Sequence, residues 1–502
     1  MNGVIIQYFH WYHAGNLWNE FAENAEYLSK LGITAAWLPP ATKCDLGKEG
    51  RGYDVYDLYD LGEFDQKDGI PTRYGTKEEY LNAIEKAHQA GISVYADIVL
   101  NHRMGADEEE LVTVHEVNDE DRNEIISKPI QVSACTKFTF PGRQGKYSDF
   151  IWDYSCFSGI DIVRKEDGIA KGIFKIHNEY GTEWTDDVSH QFGNYDYLMG
   201  ADVEYRNPQV IREMKNWIKW YMETTKADGI RLDALKHLSS DFLKEWITYI
   251  KTELNPDCFV LGEFWKDEAE KLALFSDKME DMIFCFDVPL HYNLSRASEE
   301  GSAYDLSQIL KGSFVEKKPL FSVSFVENHD TQPLQALESS VQTWFKPIAY
   351  AIILLLEEGY PCVFYPDLFG AEYTDTKDGE SVRIVLPKIE VLPKLLKARQ
   401  QFAFGEQITY FDEPNCIAWV RNGNDEKSGC VVVVSNDKDA FKEISLGKDK
   451  AHLSFKDFLN NRNEVITTDE NGKAKFPVNA KSVSVWVRAD AIDEFNRVEI
   501  IT

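Results

Sequence analysis

The chain has 502 residues, and 84 acidic against 54 basic side chains give it a formal net charge of −30. Its 43% hydrophobic and 13% aromatic content is that of a globular protein, which excludes disorder of the whole chain. The negative charge disfavours nucleic acids and anionic membranes as partners, because phosphates attract Lys and Arg. A neutral substrate or bound cations are compatible with it.

The first apolar segment begins at Val4, so we expect no secretory signal before it; a chain whose signal had been removed would look the same. Such a signal would need a basic start and a longer apolar run. The longest apolar stretch, residues 348–356, is too short to span a bilayer. We therefore expect a cytoplasmic protein with no membrane partner.

Eight short apolar segments alternate with helical patterns along the chain. They are continuous rather than alternating in polarity, as in parallel strands that are buried on both faces. Between them, Thr76 to Glu79 forms a capping box, and Asn207-Pro208 is a helix start. Strands that alternate with helices predict an α/β fold, a closed (β/α)8 barrel. The segments are residues 4–8, 35–38, 93–100, 230–232, 259–261, 284–286, 321–326 and 362–365.

The alternation of strands and helices breaks twice. Residues 103–205 are irregular, and a loop of that length predicts a small inserted domain after the third strand. After about residue 400, alternating strands and Asn-Gly turns predict an antiparallel β-sandwich. The predicted domains are a catalytic barrel (1–102 and 206–399), the inserted domain (103–205) and a C-terminal sandwich (400–502).

Charged side chains cluster where predicted strands end, and the carboxyl ends of barrel strands carry the chemistry of such folds. The fourth strand ends at Asp233, the fifth at Glu263 and the seventh at Asp330. Two carboxyls on either side of a glycosidic bond can act as nucleophile and acid. Arg231 and Asp233 would point the same way on a strand, so the guanidinium would hold the carboxylate ionised. The alternative is that each acid only caps a helix.

These strand ends resemble the four sequence regions of the alpha-amylase family of glycoside hydrolases (family 13). Further matching segments are GYDVYDLYDLGEF at 52–64, YDYLM at 195–199 and NHDTQP at 328–333. They are most similar to the bacterial liquefying and cytoplasmic members. The resemblance covers most of the chain and implies the same division into barrel, inserted domain and sandwich.

The resemblance implies a role for each matched residue. Asp233 would be the nucleophile, Glu263 the general acid and then the base, and Asp330 would orient the distorted sugar. Because the family retains the anomeric configuration, the carboxyls of Asp233 and Glu263 should lie about 5–5.5 Å apart. The implied substrate contacts are Tyr53 beneath the sugar ring, Arg231 beside the nucleophile, His102 and His329 at sugar hydroxyls, and Lys236, His237 and Trp265 on the leaving-group side.

The residues after Asp233 indicate the subtype. Ala234-Leu235-Lys236-His237 is similar to the endo-acting α-1,4 enzymes, which implies starch, glycogen or maltodextrin as substrate. A 4-α-glucanotransferase with the same three carboxylates is the alternative. A more distant one is an inactive carbohydrate-binding barrel, although all three acids are present.

The resemblance also implies one structural calcium ion, a hard cation that prefers oxygen ligands. Thr185 and Arg206 stand where the secreted members carry acids, so we expect one ion rather than a metal cluster. Taken alone, the acids of this segment could equally be solvated loop residues. The implied ligands are Asn101, Asp196, Asp202 and the main-chain carbonyl of His237.

Overall fold

A computed structural model describes residues 2–166 and 168–492 of the chain. Residues 1, 167 and 493–502, which the predicted domains include, lie outside the described residues. The predicted fold class is confirmed: the chain forms a closed barrel of eight parallel strands, with a sheet inserted after the third and a C-terminal antiparallel domain.

All eight predicted barrel strands form, with ends that differ by up to two residues from prediction. The first strand pairs with both the second and the eighth, so Ile5 lies opposite Ala35 and Cys362 and the barrel closes. Nearly every strand residue is buried, as expected for a sheet that is covered on both faces. The barrel strands are Ile5–Gln7, Ala35–Leu38, Ser93–Ile98, Gly229–Leu232, Phe259–Gly262, Phe284–Phe286, Ser322–Phe325 and Tyr360–Phe364.

The helices begin where the sequence signals predict. The Glu79 amide donates to the Thr76 hydroxyl, and the Thr76 amide donates to the Glu79 carboxylate, which completes the capping box. The Asn207 side chain accepts from the Gln209 amide. The α-helices are Leu17–Lys30, Lys77–Gln89, Pro208–Thr225, Ser240–Tyr249, Ala269–Lys278, Val288–Glu300, Phe314–Lys317, Lys346–Leu355, Tyr365–Phe369 and Leu392–Phe402.

The inserted region is a six-stranded sheet rather than irregular chain. Two of its short strands join it to the barrel: Asp202 pairs with His102 just beyond the third barrel strand, and also with Gly159. The predicted boundary between residues 102 and 103 falls inside one of these strands, and the domain boundaries stay predictions. The strands are His102–Arg103, Glu108–Val117, Ile130–Lys137, Phe157–Lys165, Gly168–Ile176 and Ala201–Val203.

Two antiparallel sheets form the C-terminal region, and a separate hairpin follows the eighth barrel strand. The hairpin consists of Ala371–Lys377 and Glu380–Leu386, and Lys43–Cys44 pairs with Val55–Asp57 near the second barrel strand. No helix in the described part of the chain has the length and apolarity to cross a membrane. The C-terminal strands are Gln407–Tyr410, Cys416–Arg421, Cys430–Ser435, Ser454–Asp457, Ile466–Thr467 and Ser482–Arg488 in one sheet, and Ala440–Ser445 and Lys473–Val478 in the other.

Candidate active site

A single buried guanidinium joins three carboxylates at the carboxyl ends of neighbouring barrel strands. Arg231 Nη1 lies 2.7 Å from Asp233 Oδ1 and 2.8 Å from Asp97 Oδ1. Its Nη2 lies 2.9 Å from Glu263 Oε2. The Arg231 side chain is fully buried, whereas those of Asp233 and Glu263 are 14% and 11% exposed. The cation therefore lies behind carboxylates that open towards solvent.

The chain turns sharply just after the fourth barrel strand. Ala234 has a φ of 53°, a left-handed conformation that is uncommon for alanine, and a short 3-10 turn, Leu235–His237, follows. The turn points the Ala234 amide at Glu263 Oε2, at 3.1 Å. It thus couples the loop after the fourth strand to the acid at the end of the fifth.

Burial sets the protonation of these acids more than the guanidinium does. Burial and the charge of Asp233 raise the pKa of Glu263 to about 8, against the lowering effect of Arg231. Burial likewise raises the pKa of Asp330 to about 7 and that of Asp97 to about 6. We call Asp97, Asp233, Glu263 and Asp330 the barrel-mouth cluster. A cluster in which one acid keeps its proton at neutral pH can supply both an acid and an anion.

Asp330 follows the seventh strand and lies beside His329. His329 Nε2 is 3.3 Å from Asp330 Oδ2, and its Nδ1 accepts from Gln7 Nε2 at 2.9 Å. The His329 ring stacks on Tyr53, with centroids 5.3 Å apart, and the Tyr53 hydroxyl donates to Asp97 at 2.8 Å. Burial lowers the pKa of His329, so its ring is neutral and is oriented by these contacts.

The remaining predicted substrate contacts surround the same cluster. His102 donates through Nε2 to the Tyr53 carbonyl at 2.9 Å, and its Nδ1 has no partner among the described residues. Lys236 lies over the Tyr195 ring at 5.1 Å, and the His237 Nδ1 donates to the Tyr195 carbonyl at 2.7 Å. Trp265 is buried, and its indole N–H donates to the Tyr292 hydroxyl at 3.1 Å. The predicted residues thus converge on one face of the barrel.

Sequence reasoning gave no role to Asp97, although it is central to the cluster. Besides Arg231 and Tyr53, its carboxylate accepts from the Trp37 indole N–H at 3.0 Å. Asp97 and Arg231 are register partners on adjacent parallel strands. Aligning the ends of the third and fourth strands would have revealed this pair.

A second group of buried acids lies where the inserted sheet joins the barrel. Asp202 Oδ1 accepts from Asn101 Nδ2 at 3.1 Å, and Asp202 Oδ2 from Ser158 Oγ at 2.5 Å. Asp196 Oδ2 accepts from the Thr185 amide at 3.0 Å. We call Asp196, Asp202 and the neighbouring Glu204 the junction cluster.

The junction cluster carries oxygen atoms that suit a hard cation. Burial raises the pKa of Asp196 to about 7, and the same cause, with the charge of Asp196, raises that of Asp202. The Asn101 Oδ1 atom is buried and has no protein partner among the described residues. Arg206 pairs with Glu204, the third acid of the cluster, at 2.5 Å. Within residues 2–166 and 168–492, no three His, Cys, Asp or Glu side chains are grouped as metal ligands.

A barrel whose strand ends bring an arginine and several carboxylates together has the paired carboxyl groups that glycoside hydrolases use. A family model for the alpha-amylase catalytic domain matches residues 17–385, and one for the alpha-amylase C-terminal domain matches 430–487. The chain belongs to the alpha-amylase family of glycoside hydrolases.

Individual relatives match over nearly the whole chain. The cytoplasmic alpha-amylase of Escherichia coli K12 is 49% identical over 495 residues, covering 98% of this chain and 100% of that protein. The alpha-amylase of Geobacillus stearothermophilus is 43% identical over 490 residues, covering 97% and 87%. An alpha-amylase of Geobacillus thermoleovorans, solved with acarbose, shares the fold with a TM-score of 0.62 at 18% identity, covering 97% of each chain.

Proposed function

We propose that this protein hydrolyses internal α-1,4-glucosidic bonds of starch, glycogen or maltodextrins, with retention of the anomeric configuration. Family membership, and relatives that are 43% and 49% identical and are named alpha-amylases, support α-1,4 hydrolysis. The observation that carries the residue assignment is the Arg231 contact with both Asp233 and Glu263. It holds a nucleophile and an acid side by side at the mouth of the barrel.

In the first step, an Asp233 carboxylate oxygen attacks the anomeric carbon. Glu263 gives its proton to the glycosidic oxygen, the bond from the anomeric carbon to that oxygen breaks, and the shortened glucan leaves. Burial keeps Glu263 protonated at neutral pH, as an acid catalyst requires. Arg231 keeps a positive charge against the nucleophilic carboxylate.

In the second step, the Glu263 carboxylate takes a proton from water, and the resulting hydroxide attacks the anomeric carbon. The ester bond to Asp233 breaks, which returns both carboxyls to their starting states. Asp330 and His329 would hold hydroxyls of the reacting sugar, while Tyr53 lies beneath its ring and His102 beside it. Lys236, His237 and Trp265 would bind the leaving portion.

A structural calcium at the junction cluster is part of this proposal. Asn101, Asp196, Asp202 and the main-chain carbonyl of His237 would bind it. The Asn101 Oδ1 atom, which has no partner within residues 2–166 and 168–492, supports such a site. When bound, the ion neutralises the buried acids and ties the inserted sheet to the barrel. A cytoplasmic location is also proposed, supported by the E. coli relative named for that compartment.

The test uses a maltoheptaose that is blocked at its non-reducing end, with products sized by chromatography. Wild-type protein should cut it internally, Glu263→Gln should lose about 10²–10⁴-fold in rate, and Glu270→Gln, an exposed acid on a nearby helix, should match wild type. Elongated products from an unblocked substrate would instead support the glucanotransferase, which uses the same carboxylates. No cleavage by the wild type would contradict the proposal.

A further inference from the structure

A buried ammonium joins two loops that follow neighbouring barrel strands, outside the barrel-mouth cluster. Lys346 is the first residue of the helix Lys346–Leu355, and its side chain is buried. Its Nζ lies 2.5 Å from Glu327 Oε2 and 2.5 Å from Asp367 Oδ1. Glu327 follows the seventh barrel strand and Asp367 follows the eighth. We call Glu327, Lys346 and Asp367 the lysine triad, because the lysine ties the loops after these two strands together.

Two acids share one cation in the lysine triad. Glu327 and Asp367 are 2% and 0% exposed, so water does not compensate their charges. Against the lowering effect of burial, these acids raise the pKa of Lys346, which therefore stays charged. Asp367 has a further donor in the Tyr350 hydroxyl, at 2.5 Å, whereas Glu327 depends on the ammonium of Lys346. Because a buried carboxylate needs its cation, the pair fixes Glu327 relative to the helix.

Glu327 begins the short segment that carries His329 and Asp330. The Asn328 Oδ1 atom accepts from the Asp330 amide and from the Thr331 amide, both at 2.9 Å. The Asn328 amide donates to the Thr331 hydroxyl at 2.9 Å. These bonds close a tight turn directly after Glu327, so a shift of Glu327 is passed on to the main chain of Asp330.

The main chain decides where the Asp330 carboxylate lies. Arg231 contacts the other three acids of the barrel-mouth cluster. Within residues 2–166 and 168–492, the one basic side chain in contact with the Asp330 carboxylate is His329, whose Nε2 lies 3.3 Å from Oδ2. Asp330 therefore lacks the guanidinium that fixes the other acids, and its position depends on the turn after Glu327.

The loop after the seventh strand, residues 326–340, is also held at both ends by another group. His291 Nδ1 lies 2.9 Å from the Val326 carbonyl oxygen, and its Nε2 lies 2.9 Å from Ser339 Oγ. The His291 ring stacks on Phe325 with centroids 4.9 Å apart. Since these contacts do not involve the lysine triad, a change at Glu327 should shift the segment beside it rather than unfold the loop.

Small misplacements of a catalytic group are costly, even when the change that causes them lies away from the reacting atoms. We propose that Glu327 is a positioning residue, whose ion pair with Lys346 holds residues 327–331 so that the Asp330 carboxylate faces the reacting sugar. Glu327 acts through Asp330 and is itself buried behind it. This inference rests on the proposed function, in which Asp330 orients the sugar, and adds a supporting residue to it.

The test is a double-mutant cycle on the hydrolysis of α-maltosyl fluoride, a substrate that is reactive enough to follow slow variants. Glu327→Met keeps the length of the side chain and leaves Lys346 paired with Asp367, so no buried charge loses its partner. Its kcat should fall about 10–10²-fold with KM little changed, because the lost interaction matters in the transition state. In an Asp330→Asn background the same change should lower kcat by about twofold or less, since a positioning effect disappears with the group that is positioned.

Three further variants separate positioning from a general loss of stability. Glu327→Gln keeps an oxygen acceptor for the ammonium and should retain more of kcat than Glu327→Met. Lys346→Met removes the ion pair from its other side and should also lower kcat. Lys442→Met is the matched control, because Lys442 is likewise a buried lysine between two acids, Asp412 and Glu413, in the C-terminal region. It should keep the wild-type kcat.

The outcomes separate the positioning role from the proposed function. A folded Glu327→Met, judged by its melting curve, that keeps the wild-type kcat would overturn the positioning role. An equal fall of kcat with and without Asp330→Asn would overturn it as well, and so would a Lys442→Met that loses as much as Lys346→Met. Should Glu327→Met not fold, Glu327→Gln takes its place in the cycle, and its smaller loss should likewise vanish beside Asp330→Asn. A wild type that hydrolyses neither α-maltosyl fluoride nor starch would instead overturn the proposed function.

Discussion

The barrel-mouth cluster and the junction cluster both bury several carboxylates, yet the partners of these carboxylates differ. In the barrel-mouth cluster, Arg231 contacts three acids at 2.7–2.9 Å. In the junction cluster, the hydrogen bonds to Asp196 and Asp202 come from a main-chain amide N–H, an asparagine and a serine, all of them neutral. Buried charge needs a paired cation. The comparison teaches that an internal cation pairs with one set of acids, whereas the other set has only neutral hydrogen-bond donors, as the proposed calcium site would require.

The Asp233→Asn variant tests the proposed role of Asp233 as the nucleophile. An amide cannot form the glycosyl ester, so kcat should fall by about 10⁴-fold or more, the scale seen when a nucleophile is removed. Initial rates on soluble starch give the measurement. Asp257→Asn, on an exposed loop before the fifth strand, is the control and should match wild type. A folded Asp233→Asn with more than a tenth of wild-type activity would show that another acid attacks the sugar.

The proposed calcium site at the junction cluster is tested by the gain in stability when calcium binds. After removal of metal with EDTA, added calcium should stabilise the protein by about 2.7 kcal/mol at a hundredfold excess over its Kd. Asp202→Asn removes a charged ligand and should abolish most of this gain, seen as a shift of Tm with and without calcium. Asp257→Asn should keep it. Equal calcium shifts in both variants would place the ion elsewhere, and two or more tight ions per chain would contradict the single site.

A smaller effect is expected from pH. Because the pKa of Glu263 is raised to about 8, kcat/KM should fall as pH rises past that value and the acid loses its proton. Folding binds this proton more tightly than the unfolded chain does. The contribution of Glu263 to stability is therefore complete below about pH 4.5 and is lost as pH rises through about 8.

The Lys236→Met variant tests whether Glu263 controls the fall of kcat/KM at high pH. Lys236 lies near enough to Glu263 for their charges to interact, so removing the cation should raise the pKa of Glu263. The alkaline limb of kcat/KM should shift to higher pH than in wild type. If the alkaline limb of kcat/KM stays in place or moves to lower pH, a group other than Glu263 controls this limb.

The barrel could be predicted because its signals are local. Continuous apolar strands, the Thr76 capping box and the Asn207-Pro208 helix start each depend on neighbours in sequence. The inserted sheet could not be predicted, since its strands pair residues that lie far apart in the sequence. Its charged residues also follow no simple period. Glu108 to Glu110, for example, form an acidic run whose main chain pairs with the strand Ile130–Lys137.

In the candidate site, too, some residues could be predicted from the sequence and others could not. Asp233, Glu263 and Asp330 could be identified because each lies in a recognisable motif at a strand end. Asp97 could not be identified, because its contact with Arg231 depends on the register between two neighbouring strands.

The pairing of Asp233 as nucleophile with Glu263 as acid can be tested directly by trapping the intermediate. The Glu263→Gln variant is treated with α-maltosyl fluoride, whose leaving group needs no acid. The variant should form the ester but hydrolyse it slowly, because it lacks the base of the second step. Mass spectrometry of its peptides should then find one maltosyl group on Asp233. An adduct on Asp97 or Asp330, or turnover of the fluoride with inversion and no adduct, would contradict the assignment.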